Sequence, residues 1–142
     1  MQRTFFFIVA LMSFAAATAA ASGGKLVYHM DFNTIMPTRA AVSDALRMAV
    51  ESGCDAILWE TEDKVRWETC LSAMHSEAFS KEEFRAILDE ARSLGLEPIP
   101  LLQTVGHGEY VLDRPEYAAF RERADRKDCY CVSTIRRGQA PK

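Results

Sequence analysis

Ionisable side chains appear in this sequence where three apolar runs end. Residues 96–102 are followed by Gln103 and by the segment Gly106-His107-Gly108-Glu109. Asp31 closes an earlier apolar run, and Glu60-Thr61-Glu62-Asp63 closes another. Carboxylates and imidazoles are the side chains that most often exchange protons in enzymes. These residues are therefore the candidates for chemistry, provided that the fold brings them together.

Each candidate also has an ordinary structural interpretation. A carboxylate after a strand often caps a helix or lies in a solvated loop, and His107 is as easily explained as hydrogen-bonded scaffolding. Glu60, Glu62 and Asp63 carry the oxygen ligands that a hard cation such as calcium requires, but they form no ligand series of a known loop type. We expect no metal and no cofactor. The glycines beside His107 are expected to turn the backbone sharply and to let it approach a ligand.

Four further side chains are of types that often occur in functional sites, but no sequence pattern supports such a role for them. His29 and His75 stand alone, and we interpret both as structural. Trp59 alternates with positions expected to be buried and is predicted to lie in the core. Trp67 lies in a long connection and is predicted to be open, where an indole is either a packing residue or a platform on which a sugar stacks.

The elements that must position the candidates alternate along the chain. Strands are predicted at residues 25–32, 55–60 and 96–102, and helices at residues 38–52, 80–94 and from Pro115 onwards. Ser80 and Glu83 form the pattern of a capping box, and Gly53 and Gly95 are placed to end helices in a left-handed conformation. This alternation predicts an α/β fold with a parallel sheet, in which the carboxyl ends of all strands lie at one edge.

Two features complicate this prediction. Residues 61–78 form a connection that is long for a compact domain, and such connections are usually functional or disordered. Pro98 and Pro100 each remove a backbone donor from the third strand. If the strands nevertheless lie parallel, the ligand-binding edge carries five candidate residues: Asp31, Glu60, Asp63, His107 and Glu109.

The bulk composition restricts the class of protein. The chain has 142 residues, enough for one ordinary domain, and a formal net charge of −3. No basic stripe is present to bind phosphates, so we expect no nucleic acid partner. The four cysteines fit an oxidising compartment but do not establish that any of them pair.

Residues 1–21 have the pattern of a secretory signal peptide. Arg3 supplies a positive charge, residues 5–14 an apolar core, and residues 17–21 small side chains before a cleavage site near Ala21. The apolar core is too short to span a bilayer as a helix, and an uncleaved anchor is the alternative. We therefore expect a secreted or periplasmic protein with no stable membrane anchor after cleavage.

Longer stretches of the sequence resemble the catalytic domain of glycoside hydrolase family 20. These stretches are DAILWETED, ARSLGLEPIPLLQTVGHGEYVL, RPEYAAFRE and CYCVS, and the hexosaminidase D-like branch is the most similar. The resemblance covers about residues 28–133 and is most specific at residues 103–112. It implies that residues 25–135 are the N-terminal part, about three β/α units, of a (β/α)8 TIM barrel. Such an enzyme removes terminal β-linked N-acetylhexosamine from a glycan or glycoside.

The resemblance also implies roles for the candidate residues. Catalysis in that family is substrate-assisted: the acetamido oxygen of the substrate attacks the anomeric carbon, an Asp orients the acetamide, and the adjacent Glu is the general acid. By position, Asp31, Asp63 and His107 match polar residues of the sugar site. Glu60 and Glu109 match acids of the closer branch. All five are therefore expected to bind substrate rather than to donate the proton.

The sequence departs from the family at the catalytic pair. The family's Asp-Glu pair follows the fourth strand, but no such pair follows Ser133, and Asp89-Glu90 lies in the second predicted helix. Thr34 also stands where many members have a sugar-binding arginine. We thus expect no catalytic residue in this chain, a general acid further downstream, and an unpatterned tail at residues 136–142.

Three interpretations of function follow. The chain is the N-terminal portion of a family 20-like glycosidase that is inactive alone, or it is an exported non-catalytic α/β module that binds sugars or a partner through the same rim. A different barrel or a Rossmann-like domain is the third, but no glycine-rich phosphate loop supports it. In the first case, the two free edges of a three-stranded sheet are expected to favour self-association.

Overall fold

The computed structural model describes residues 24–136 of the chain. The predicted signal peptide (residues 1–21) and residues 137–142 of the predicted tail lie outside the described residues. The elements are β1 (Val27–Asp31), α1 (Arg39–Glu51), β2 (Ala56–Glu60), a 3₁₀ turn (Glu68–Ala73), α2 (Lys81–Ser93), β3 (Glu97–Leu101), α3 (Glu109–Leu112), a second 3₁₀ turn (Pro115–Phe120) and α4 (Val132–Arg136). No helix in residues 24–136 is long and apolar enough to cross a membrane.

The three strands form one parallel sheet in the order β1-β2-β3. Asp31, Glu60 and Leu101 are paired neighbours at the carboxyl end of the three strands. The predicted α/β class and the predicted parallel sheet are therefore confirmed. Each strand is slightly shorter than the sequence pattern suggested.

One face of the sheet is covered by α1 and α2. Successive side chains of a strand point to opposite faces. Met30, Ile57 and Trp59 point to the helical face, where they join Leu46 of α1 and Ile87 of α2 in one buried cluster. Full burial of a Leu or Ile side chain stabilises the fold by about 1.5–3 kcal/mol relative to exposure. The predicted core position of Trp59 is confirmed, because only 3% of its surface is exposed.

The opposite face of the sheet is more open. By the same alternation it carries His29, Asp31, Leu58, Ile99 and Leu101; the first two are exposed and the three apolar residues are half-buried. Parallel sheets are normally covered on both faces, and their strands then read as continuous apolar runs. Here the helix-covered face carries the core, whereas the open face carries ionisable residues beside apolar ones.

β3 accommodates two prolines because of its position at the edge of the sheet. The N–H of Glu97 donates to the carbonyl of Asp55 at 2.9 Å. Since alternate residues of a parallel strand direct their backbone groups to the same neighbour, Ile99 also faces β2, whereas Pro98 and Pro100 face outward. Neither proline removes a hydrogen bond between β2 and β3, which explains why the strand forms despite them.

The predicted ends of the first two helices are confirmed. Thr38 caps α1 by accepting a backbone hydrogen bond, and Ser80 and Glu83 form a reciprocal capping box at the start of α2. Gly53 and Gly95 follow the two helices with φ angles of 78° and 81°. Glycine adopts this left-handed region without steric cost, so both residues end their helices at the predicted positions.

The long connection after β2 is packed against the rest of the chain. Its 3₁₀ turn covers Glu68–Ala73, and Val65 is fully buried before that turn. Met74 and Tyr117 belong to a second buried cluster, which joins this connection to the segment after β3. That segment forms a 3₁₀ turn at Pro115–Phe120 rather than the longer helix that the sequence predicted.

Replacing Ser80 with Ala is expected to lower the free energy of unfolding by about 1 kcal/mol, because the N–H of Glu83 loses its acceptor at the start of α2. Urea denaturation followed by circular dichroism measures the change. Ser76→Ala is the matched control, since Ser76 is exposed in a turn and its replacement is expected to cost less than about 0.5 kcal/mol. Equal losses in the two variants would contradict the role of the capping box.

Candidate functional site

Glu60 connects the carboxyl ends of all three strands. Its buried carboxylate forms a hydrogen bond with Nε2 of His29 in β1 at 2.7 Å, and the side-chain amide of Gln103, just after β3, donates to its other oxygen. A buried carboxylate is costly unless donors compensate for its lost hydration, and here two donors do so. The strand ends and the loops that follow them form the rim of the candidate site. Glu60 therefore fixes the relative positions of the three strand ends in this rim.

His29 has a structural role, as interpreted, but it does not stand alone. Its ring contacts the buried carboxylate of Glu60 and lies on the same face of the sheet as Asp31. The sequence contains a signal for this arrangement. His29 and Asp31 are two residues apart in β1, so they share a face, and parallel pairing with β2 brings both beside Glu60.

Asp31 is exposed at the end of β1, next to Glu60 in the strand register. Its Oδ1 accepts a hydrogen bond from the N–H of Asn33 at 2.7 Å, which forms the turn that begins the following loop. Asp31 lines neither of the two cavities found at this edge. It lies beside the candidate site and contributes negative charge to it.

Glu62 lies between the two cavities, and its carboxyl group holds a proton more tightly than an ordinary glutamate. Burial and then the negative charge of Glu60 raise the pKa of Glu62 to about 7; Lys64 opposes this rise, and Asp63 and Asp31 add to it. Its φ of 42° lies in the left-handed region, which is uncommon for residues other than glycine. Backbone strain of this kind is concentrated at functional sites. Near neutral pH this carboxyl is both a donor and an acceptor.

Asp63 is held in place by an ion pair with its neighbour Lys64. The two side chains are only 13% and 7% exposed. The ammonium of Lys64 also donates to the carbonyl of Asn33 at 3.3 Å, and the carbonyl of Asp63 accepts a hydrogen bond from the N–H of His75 at 2.9 Å. Removing one partner of a buried pair typically costs about 3–5 kcal/mol, so this pair is a rigid part of the rim. No residue pattern in the sequence indicated a role for Lys64.

His107 itself, and neither of its flanking glycines, adopts the left-handed conformation, with a φ of 54°. Gly108 is required for another reason: a Cβ atom there would lie 2.4 Å from Cε2 of Tyr130. The N–H of Gly108 also donates to the carbonyl of Asp128 at 3.0 Å. The sharp turn expected of the glycines is therefore made by His107 instead, and Gly108 approaches Tyr130; a Cβ on Gly106 would meet nothing within 4 Å, and the approach of a ligand to this backbone stays a prediction.

Asp63, His107 and Glu109 line one cavity of about 480 Å³ at the carboxyl edge of the sheet. Glu109 is exposed in the first turn of α3. Four further charged side chains contribute to the lining: Glu62, Lys64, Asp113 and Arg114. The volume falls within the range of small-molecule sites, roughly 300–1,000 Å³. The cavity thus combines carboxylate acceptors with ammonium and guanidinium donors.

A second cavity of about 700 Å³ lies beside the first, and Glu62 and Tyr110 line both. Its walls include Glu60, Trp59 and Trp67. Trp67 is 36% exposed, which agrees with its predicted open position. The buried Nε1 of Trp59 has no hydrogen-bond partner among the residues that the structure describes. The lining of this cavity thus combines apolar side chains with the carboxyl groups of Glu60 and Glu62. Such a lining suits a ligand with one apolar and one polar face.

The five residues predicted to bind substrate lie at one edge of the sheet but do not share one cavity. Three of them line the smaller cavity, Glu60 lines the larger one, and Asp31 lies outside both. Glu62 was considered in the sequence as one of the acids after the second strand and as a cation ligand, but not as a substrate-binding residue; together with Tyr110 it lines both cavities. The spacing of residues after β2 does not indicate its left-handed conformation.

Other reactive groups in the described residues have structural surroundings. Asp89 and Glu90 lie on α2, where Glu90 pairs with Arg39 of α1 and Asp89 pairs with Arg92. Glu90 is therefore partly buried between the helices rather than simply solvated. The four cysteines are free thiols. Within residues 24–136, no group of three or more His, Cys, Asp or Glu side chains is arranged to hold a metal ion.

Replacing Glu62 with Gln is expected to change how stability depends on pH. The pKa of about 7 in the folded chain exceeds the ordinary value of 4.5, so the folded chain binds more protons than the unfolded chain between these values. Stability is therefore lost at this residue as pH rises through that window. The free energy of unfolding of the variant, relative to the unmodified chain, should increase from pH 5 to pH 8. Urea denaturation at several pH values measures the difference.

Glu82→Gln is the matched control for this measurement, because Glu82 is exposed in the first turn of α2 and lies outside both cavities. Its replacement should leave the shape of the pH profile unchanged. If the Glu62→Gln profile ran parallel to that of the unmodified chain, the assigned proton affinity would be wrong.

No protein-family model matches the sequence. The chain is 34% identical over 95 residues to hexosaminidase D of Homo sapiens, a match that covers 66% of this chain and 20% of that protein. It is 35% identical over 95 residues to hexosaminidase D of Bos taurus, covering 66% of this chain and 28% of that protein. The matched part of the chain thus spans less than a third of the length of these curated relatives. The similarity supports a hexosaminidase-like relationship.

Proposed function

We propose that this chain forms the substrate-binding rim of a hexosaminidase-like glycoside hydrolase of family 20, and that the rim binds a terminal N-acetylhexosamine. The observation that carries the proposal is the cavity of about 480 Å³ at the carboxyl edge of the sheet, lined by Asp63, His107 and Glu109. Parallel α/β proteins bind their ligands at this edge. The similarity to hexosaminidase D supplies the substrate class.

The lining of this cavity complements the polar groups of a neutral amino sugar. Sugar hydroxyls donate to the carboxylates of Asp63 and Glu109 and accept from the guanidinium of Arg114. An acetamido group needs a donor for its carbonyl and an acceptor for its N–H. Glu62, with a pKa of about 7, provides either one according to its protonation state.

The larger cavity offers an apolar surface for the remainder of the substrate. Trp67 presents a partly exposed indole there, and sugar rings stack their C–H faces on such surfaces. The Nε1 of Trp59, which has no partner within residues 24–136, is a buried donor in the wall of this cavity. We assign this cavity to the group attached to the terminal sugar, because it adjoins the polar cavity at Glu62 and Tyr110.

A (β/α)8 barrel is the architecture proposed for the whole domain, with residues 25–135 forming about three of its units. Three neighbouring parallel strands in sequential order, with helices on one face, are consistent with part of such a barrel. In that architecture the open face of the sheet, which carries His29, Leu58 and Ile99, is directed toward the barrel centre. The loops after the strands then surround the substrate. We also propose that residues 1–21 direct export.

The residues present support binding without cleavage. Substrate-assisted hydrolysis needs an Asp that orients the acetamide and an adjacent Glu that donates a proton. The adjacent Asp-Glu residues in this sequence are Asp89 and Glu90, and both are engaged with arginines on or beside α2. The alternative, an exported module that only binds sugars, makes the same binding prediction; the relationship to hexosaminidase D favours the glycosidase.

Replacing His107 with Gly is expected to weaken the binding of N-acetylglucosamine by at least about tenfold, because the imidazole leaves the polar cavity. The free energy of unfolding should change by less than about 1 kcal/mol, since glycine adopts the left-handed conformation without strain. An NMR titration measures binding and urea denaturation measures stability. His75→Ala is the control, because His75 lines neither cavity. Unchanged affinity in the His107 variant would contradict the assigned site.

The chain is expected to show no hydrolysis of a chromogenic N-acetylglucosaminide above the uncatalysed rate, because its Asp-Glu pair, Asp89 and Glu90, lies on α2 and not at the carboxyl edge of the sheet. The measurement is a long incubation at pH 5, 6 and 7. Hydrolysis that is lost in Glu62→Gln and retained in Glu82→Gln would overturn this proposal and identify Glu62 as the general acid.

A further inference from the structure

Lys64 carries a buried charge in the wall of the smaller cavity, and we propose that it binds the sugar directly, together with Asp63. In this role the Asp63–Lys64 pair recognises two neighbouring hydroxyl groups of one sugar ring. Lys64 lines the cavity of about 480 Å³ although only 5% of its surface is exposed. Because the substrate class comes from the proposed function, the role of Lys64 rests on that function.

The ammonium group of Lys64 has one more donor than its partners in the chain use. It carries three N–H groups. Within residues 24–136, its hydrogen bonds are to the carboxylate of Asp63 and to the carbonyl of Asn33. A buried donor without an acceptor is costly, so the third N–H needs a partner. Since Lys64 lines the smaller cavity, a ligand in that cavity can supply the acceptor.

Backbone hydrogen bonds hold the Asp63–Lys64 pair in place before any ligand binds. The N–H of Lys64 donates to the carbonyl of Thr61 at 2.8 Å. The carbonyls of the two paired residues accept from the N–H groups of His75 and Phe79, each at 2.9 Å. A side chain that is already immobilised loses little conformational entropy on binding. The pair is therefore preorganised to bind a ligand.

The Asp63–Lys64 pair presents a donor beside an acceptor. The ion pair uses Oδ1 of Asp63, which leaves Oδ2 for a ligand. A sugar hydroxyl both donates and accepts, so one hydroxyl oxygen can accept from Lys64 while the neighbouring hydroxyl donates to Asp63. In a terminal β-linked N-acetylhexosamine, C1 carries the linkage and C2 the acetamido group. The neighbouring free hydroxyls on the ring are those at C3 and C4, and we assign these two to the pair.

Burial of the Asp63–Lys64 pair makes it selective for these hydroxyls. Hydrogen bonds to ionised groups are stronger than those between neutral groups, and salt screens buried charges less than exposed ones. A sugar that lacks one of the hydroxyls would leave a charged donor or acceptor without its partner. Sites built to bind a hydroxyl group reject such analogues strongly for this reason.

NMR titrations of the full chain with the methyl β-glycoside of N-acetylglucosamine and with its 3-deoxy and 4-deoxy analogues test this role. The unmodified chain is expected to bind each deoxy analogue at least about tenfold more weakly than the parent sugar. Lys64→Met removes the ammonium and keeps an unbranched side chain. This variant should bind one of the two analogues as tightly as the parent sugar, to within about twofold. A merely structural role would lower the affinity for all three sugars equally.

A second variant guards against a loss of folding, because Lys64→Met leaves the buried carboxylate of Asp63 without its cation. The double variant Asp63→Asn/Lys64→Met removes both charges together, a change that buried ion pairs tolerate better than the loss of one partner. It should discriminate less than about twofold among the three sugars. Lys81→Met is the matched control, because Lys81 pairs with Glu68 at the surface and lies outside both cavities. It should retain the discrimination of the unmodified chain.

Two results would overturn the role of the Asp63–Lys64 pair. One is equal binding of the parent sugar and both deoxy analogues by the unmodified chain, and the other is full discrimination retained in both Lys64 variants. If His107→Gly still weakens the binding of N-acetylglucosamine in either case, the proposed function stands and the role of Lys64 alone is wrong. An unmodified chain that does not bind N-acetylglucosamine would overturn the proposed function, and the role of Lys64 with it.

Discussion

Parallel pairing aligns Asp31, Glu60 and Leu101 at one end of the sheet, and the buried carboxylate of Glu60 then binds a donor from each neighbouring strand region. His29 and Gln103 approach this carboxylate from opposite sides. A shift of β1 by one residue would move His29 to the other face of the sheet and leave a buried charge short of a partner. The group that fixes the strand register therefore also fixes where the rim loops begin.

The rim concentrates negative charge, and the structure accommodates it in two ways. Lys64 neutralises Asp63 directly, whereas Glu62 takes up a proton because burial and Glu60 disfavour its ionised form. Glu62 and His107 are also the residues other than glycine with positive φ within residues 24–136. Each such conformation costs of order 1–3 kcal/mol. Charge and backbone strain thus coincide at one edge, and the helix-covered core supplies the stability that maintains them.

The sequence predicted the parts of this fold that depend on neighbouring residues. The capping box at Ser80, the helix stops at Gly53 and Gly95 and the alternation of strands and helices are local signals, and they agree with the structure. The sequence alone did not explain how β3 accommodates two prolines. The pairing of β3 with β2 explains it, because it shows that Pro98 and Pro100 face outward.

Long-range geometry limited the prediction of the site. The need for Gly108 arises from Tyr130, which is distant in sequence, and the two cavities at this edge are lined by residues from several separate segments. Neither follows from residue type or spacing. The roles of Asp31, Glu60, Asp63, His107 and Glu109 in binding substrate stay predictions, although their shared edge follows from the parallel sheet.

Under the proposed function, the balance of charge at the rim also restricts the kind of sugar that it would bind. Six acids gather there: Asp31, Glu60, Glu62, Asp63, Glu109 and Asp113. Of the cations that line the two cavities, Lys64 already pairs with Asp63 and Arg92 with Asp89, and Arg114 is the third. A ligand carboxylate placed about 4 Å from one unpaired acid would meet a repulsion of roughly 4 kcal/mol near a protein surface. Uronic and sialic acids are therefore disfavoured, whereas a neutral N-acetylhexosamine brings hydroxyl and amide donors that these carboxylates can accept.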